Sequence, residues 1–187
     1  MRLPALIASA CLAGAAYAQQ PAPPAQPPAP PPCSAPEYRQ MDFWAGDWDL
    51  EFTNPNGTIG HARNRITRDE YGPCAIAEHF VQPGGAAGGG DYVGGSYSMY
   101  DPLTGKWRQM WVDNGGGVFD LAGGPVTGQK QVFELVTTEP RGANRRLMRM
   151  IWEDVAADRL VWRWQAQQPD GSWSDQWVLR YRRRPPG

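Results

Sequence analysis

The sequence predicts an all-β protein, an antiparallel up-and-down β-barrel of eight to ten strands with a short helical turn at its N-terminal edge. Three observations predict it. Leu160 to Tyr181 reads as two strands of period two around a turn, with apolar residues at alternate positions. Ten short stretches of strand character follow one another between turn residues, and no long helical pattern separates them. A meander of that many strands exposes two edges unless it closes, and closure pairs them. A two-sheet sandwich suits the same spacing and is the rival arrangement.

Residues 1–18 read as a secretory signal, with a charge at Arg2, an apolar run from Leu3 to Ala16 and Ala16-Tyr17-Ala18 as a small-x-small cleavage site. Cleavage after Ala18 would place the mature protein in the periplasm or outside the cell. A lipoprotein reading would acylate Cys11, but Ala8-Ser9-Ala10 lacks the large aliphatic residue expected three before the cysteine. Residues 19–36 are rich in Pro, Ala and Gln, have little to bury, and are expected to form a disordered, extended spacer. Residues 37–184 are the barrel domain, long enough for one core and short for two.

Within the domain, Glu37 to Phe43 suits a short helical turn. The first strand follows, with Trp48, Leu50 and Phe52 alternating against Asp47, Asp49 and Glu51. Asn54-Pro55-Asn56-Gly57 supplies turn chemistry. Further strands are expected at residues 58–68, 75–82, 92–100 and 106–113, with weaker ones at 118–122, 131–138 and 145–153. Gly84 to Gly95 reads as a glycine-rich connection able to act as a flap over one mouth.

Two hairpins carry most of the information. With Tyr100 to Trp107 as a turn, Tyr100 faces Trp107, Ser98 faces Gln109, Ser96 faces Trp111 and Gly94 faces Asp113. The other face holds Val93, Tyr97, Met99, Met110 and Val112. Period two does not choose between these faces; the polar-aromatic one is taken as interior, and the other is apolar enough to compete. In the last hairpin, a four-residue loop from Pro169 to Ser172 would set Gln168 against Trp173, Ala166 against Asp175, Trp164 against Trp177, Trp162 against Leu179 and Leu160 against Tyr181.

Composition narrows the function classes. The 18 Lys and Arg balance 19 Asp and Glu for a net charge of −1, with basic residues scattered apart from Arg180, Arg182, Arg183 and Arg184, which argues against a nucleic-acid partner. That arginine run reads as a solvated strand end. No second apolar segment reaches the ~20 residues of a membrane span. Cys33 and Cys74 remain after signal removal and can pair in an oxidising compartment, although sequence does not place them within bridging distance.

The set Phe43-Trp44-Ala45-Gly46-Asp47-Trp48, Tyr100-Asp101, Thr104-Gly105-Lys106-Trp107, Gln109 and Trp111-Val112-Asp113 resembles a bacterial family of exported lipocalin-like, calycin-type domains of unknown function. The likeness extends to Asn64, Cys74, Glu78, Arg149-Met150-Ile151-Trp152 and Asp170-Gly171-Ser172-Trp173. The resemblance implies a lipocalin-like barrel with an internal cavity and implies no substrate. Gly46-Asp47-Trp48 is also similar to the Gly-x-Trp that opens the first strand of lipocalins, where the Trp plugs the closed end.

No cofactor is expected. Glu78 and His79 are adjacent in a strand and point to opposite faces, so they cannot share a metal, and the last two strands contain no His to ligate haem. Ser96 and Ser98 have no histidine readable beside them. The glycine clusters lead into strands and form no phosphate cradle. General acid–base chemistry is the best enzymatic case: Glu78, Asp113 or Glu153 could face a Trp-lined interior, and ion pairing to Arg63, Arg65, Arg108 or Arg149 is the simpler fate of each. The expectation is therefore an exported barrel that binds a small apolar or aromatic molecule through Asn64, Glu78, Ser96, Gln109, Trp111, Asp113 and Trp164. The alternatives are a carboxylate-dependent isomerase, cyclase or hydratase on the same barrel, and a structural envelope module with a packed interior. Oligomeric state is open.

Overall fold

Period two in the sequence becomes ten strands, each hydrogen-bonded on both sides. A computed structural model describes residues 28–68, 71–129 and 131–185; the expected signal, Cys11 and the first part of the spacer lie outside them. The strands are β1 (Gly46–Thr53), β2 (Ile59–Thr67), β3 (Ala75–Gln82), β4 (Tyr92–Asp101), β5 (Lys106–Asp113), β6 (Val118–Pro125), β7 (Phe133–Thr137), β8 (Met148–Glu153), β9 (Arg159–Gln167) and β10 (Trp173–Arg183). Each pairs antiparallel with its sequence neighbours, and β10 returns to β1 with Leu50 opposite Tyr181. That last pairing decides for the barrel against the sandwich, since it leaves no edge strand. Among the described residues no helix is long and apolar enough to cross a membrane.

The faces follow the alternation. In β1, Trp48, Leu50 and Phe52 are buried while Asp47, Asp49 and Glu51 point out. The β4–β5 hairpin has the expected register, with Ser96 opposite Trp111 and Ser98 opposite Gln109, and these four residues face the interior. Its other face is an apolar outer surface: Tyr97, Met110 and Val112 are each about half exposed, and Tyr97 meets Tyr71 edge-on. Two glycines expected in the flap belong to β4. At Gly94 a Cβ would lie 2.2 Å from the Trp111 ring, so the strand needs glycine there to let the indole lie against it. The remaining connection, residues 83–91, is tied by its own bonds, with Ala86 N–H donating to the Gly90 carbonyl at 2.8 Å.

The last hairpin differs from expectation near its tip. Gln168 N–H donates to the Ser172 carbonyl, and Gly171 takes φ +85°, so the loop is the three residues Pro169, Asp170 and Gly171. This sets Gln167 opposite Trp173 and Ala166 opposite Ser174, in place of the expected Gln168–Trp173 and Ala166–Asp175 pairs. A bulge between Asp175 and Trp177 then adds one residue and restores the expected pairs Trp164–Trp177, Trp162–Leu179 and Leu160–Tyr181. Trp173 thus lies on the outer face, under the Arg149 guanidinium at 4.3 Å, and not in the inner aromatic wall. The β7–β8 connection is also longer than expected. Arg141 and Arg146 bridge its neck, and Gly142 and Arg145 hold positive φ, so residues 145–147 are not strand.

One end of the barrel is plugged by the segment before β1. Two 3-10 turns, Pro36–Arg39 and Asp42–Trp44, carry Met41 and Trp44 into the core, where Trp44 meets Trp152 edge-on at 5.2 Å. Trp48 is fully buried there and donates its indole N–H to the Trp44 carbonyl at 2.8 Å. Arg183 is not a solvated strand end. Its guanidinium lies 4.0 Å from the Trp48 ring centre and donates to the carbonyls of Phe43, Ala45 and Ala157, stapling plug to barrel. The Cys33–Cys74 disulfide, with Cα atoms 5.0 Å apart, fastens the same end.

Candidate functional site

The opposite half of the interior is lined by rings contributed from six strands. Phe80 on β3, Tyr92 on β4, Trp111 on β5, Phe119 on β6, Trp162 and Trp164 on β9, and Trp177 on β10 surround a pocket of about 90 Å³. Trp162 and Trp164 lie parallel, 3° apart, because they are two residues apart on one face of β9. Trp177 and Phe119 meet these rings edge-on at 6.2 and 5.1 Å. Edge-to-face contacts of this kind each contribute about 0.5–1.5 kcal/mol beyond burial, so the wall is held in shape.

Among the described residues one acidic side chain lines this pocket, Glu78 on β3. It points inward because Phe80 and Ile76 on the same strand do, while His79 between them is exposed. Its carboxylate has neutral donors only: Asn64 Nδ2 at 2.7 Å on one oxygen and the Ser96 hydroxyl at 2.6 Å on the other. Asn64 also donates to the Tyr181 hydroxyl at 3.0 Å. Burial pushes the Glu78 carboxyl up to about 7, against the two hydrogen bonds, which favour the ionised form. Burial, and then the Glu78 charge, raise the Tyr181 hydroxyl above its ordinary value, so that phenol stays neutral.

Asp113 has a different task. One oxygen accepts from the Trp111 indole N–H and the Tyr92 hydroxyl, both at 2.9 Å; the other accepts from the backbone N–H groups of Gly115 and Gly117. Burial opposes its ionisation, but these donors outweigh burial and hold the carboxyl below the usual range. Asp113 therefore fixes two rings of the pocket wall and closes the turn after β5. Glu153 points outward to Arg163, and Arg63, Arg65, Arg108 and Arg149 pair with Asp49, Asp47, Asp120 and Glu134. Of the carboxylates weighed for acid–base chemistry, Glu78 faces the rings without an arginine partner.

The residues singled out from sequence thus divide. Glu78, Trp111 and Trp164 line the pocket. Asn64 and Ser96 stand behind Glu78, and Asp113 stands behind Trp111. Gln109 is fully buried away from the pocket and donates to Ser98 at 2.9 Å. Trp162, Trp177, Phe80, Tyr92 and Phe119 also line the pocket and are not among the residues singled out from sequence. The signal for the first four was present in the alternation of β3, β4, β9 and β10; Phe119 sits in a weaker strand.

No protein-family model matches the chain, and no curated protein matches it. Among solved structures it is similar to a redesigned β-barrel, at 9% identity and a TM-score of 0.40, over 79% of this chain and 96% of that one.

Proposed function

We propose that this barrel is an exported, lipocalin-like protein that binds a small, flat, largely apolar molecule at its open end. The observation that supports this most is the ring-lined pocket with a single charged group, Glu78, at its inner side. Small-molecule sites generally combine apolar walls with a few placed polar groups, and this pocket has that composition on a small scale. Its volume of about 90 Å³ suits one ring or a short chain unless the wall rings move apart. The apolar N-terminal run and the Cys33–Cys74 disulfide support export to an oxidising compartment.

The test is native mass spectrometry of the protein purified from its own host, followed by denaturing extraction. A retained small molecule that is lost in Trp164→Ala supports the reading. A bare protein that also fails to bind indole or benzyl alcohol in calorimetry points instead to the structural module.

A second reading has one observation in its favour. Glu78 is held rigidly by Asn64 and Ser96 at a pKa near neutrality, as a general base requires. On that reading Glu78→Gln keeps ligand affinity and abolishes turnover of the retained ligand's precursor.

A further inference from the structure

A second recess, about 320 Å³ and open to solvent, lies at the mouth between β6, β9 and the β7–β8 connection. Phe119 and Trp164, in edge-on contact at 5.1 Å, line both this recess and the ring-lined pocket, so the two adjoin across one aromatic pair. The rest of the recess includes Arg141, Arg146 and Met148. Residues 138–147 hold Arg141, Arg145 and Arg146 against one carboxylate, Glu139. Among the described residues none of these arginines has an ion-pair partner, whereas the outer wall pairs Arg63, Arg65, Arg108, Arg149 and Arg163 with carboxylates. The Nε of Arg141 is buried without a hydrogen-bond acceptor. A buried guanidinium N–H without an acceptor is costly and strengthens any bond it is offered.

We infer that the ligand is a small amphipathic carboxylate whose head group sits on Arg141 and Arg146 while its apolar body lies against Phe119 and Trp164, the ring pair that the recess shares with the pocket. This rests on the pocket being a binding site and adds the ligand's charge and orientation. The head belongs at the mouth because the guanidinium groups are there. The body belongs on the two shared rings because they present flat apolar area beside the guanidinium groups. Arg141 and Arg146 are held for the task by their own backbones, which exchange hydrogen bonds at 2.8 and 3.0 Å across the neck of the loop.

The test compares benzoate with the neutral benzyl alcohol by calorimetry on the intact protein at one ionic strength. The acid is expected to bind about tenfold or more tightly, the ratio a charged hydrogen bond supports. In the double variant R141Q/R146Q the acid should fall to parity with the alcohol, whose own affinity should not change. R180Q, on the exposed outer face of β10, should leave both unchanged and so excludes a general charge effect. An unchanged melting temperature verifies that the double variant folds. Equal affinities in the parent protein, or a preference for the acid that survives in R141Q/R146Q, overturns the carboxylate assignment and leaves the pocket standing. Failure of both probes to bind overturns the pocket reading as well.

Discussion

The two ends of the barrel are built from the same aromatic residues and do opposite things with them. At the plugged end Trp44, Trp48, Trp107 and Trp152 are each 1% exposed or less, and Met41 and Phe133 fill the space between them. At the open end Trp164 and Trp177 stay partly accessible, and the rings surround a pocket. What differs is the cover. The segment before β1 folds over one mouth and is fixed there by Arg183, by the disulfide and by Arg68, which reaches the Tyr38 carbonyl at 2.8 Å. Between the ends runs a polar layer, Asn64, Glu78, Ser96, Tyr181, Ser98 and Gln109, which keeps the open-end rings from merging with the plug. Abundant tryptophan therefore does not make a pocket; an uncovered mouth and a charged inner wall do.

Truncating one indole at each end should separate the two halves most strongly. Trp152→Ala is expected to cost about 3–5 kcal/mol because the site is closed on every side, while Trp164→Ala costs about 1–2 kcal/mol and acts mainly on ligand affinity. Denaturant melts of the two variants measure this, and equal losses would mean that the open end is core after all. Next in size is the disulfide. Its cysteines lie 41 residues apart, and its reduction should lower stability by about 2–4 kcal/mol. Benzyl alcohol affinity should not change, since the bridge fastens the plug.

Glu78 sharpens the comparison through pH. The folded protein holds its proton up to about pH 7, while the unfolded chain releases it near the ordinary 4.5. The folded state thus binds more protons in that window, and the Glu78 contribution to stability is lost as pH rises through it. Glu78→Gln removes this penalty, so the variant should exceed the parent by about 2–3 kcal/mol at pH 8 and match it near pH 4. Paired thermal melts across pH 4–8 test it; a constant difference would place Glu78 in water. The smallest effect is expected from Asp113→Asn, about 1 kcal/mol in stability, with a larger loss of benzyl alcohol affinity as Trp111 and Tyr92 lose their common anchor.

Much of this was legible in the residues. Alternation placed Trp48, Leu50 and Phe52 inside β1 and set the register of β4 and β5, because side-chain direction in a strand is a local property with period two. Gly94 shows where that reading stops: in sequence it belongs to a glycine-rich stretch, and only the Trp111 ring lying against it reveals why it is glycine. Arg183 is similar, one arginine among several until Trp48, far away in the chain, is seen beneath it.

By itself the sequence determined the class, the order of ten strands and most of their inward faces, since each rests on residues a few positions apart. The tertiary structure decided what depends on distant contacts. The β1–β10 pairing closed the barrel, and the bulge at β10 sent Trp173 outward. Burial, against neutral donors from β2 and β4, brought the Glu78 carboxyl of the pocket to about 7. Which carboxylate is buried without a cation is a property of the space around it, and that space is assembled only when the strands come together.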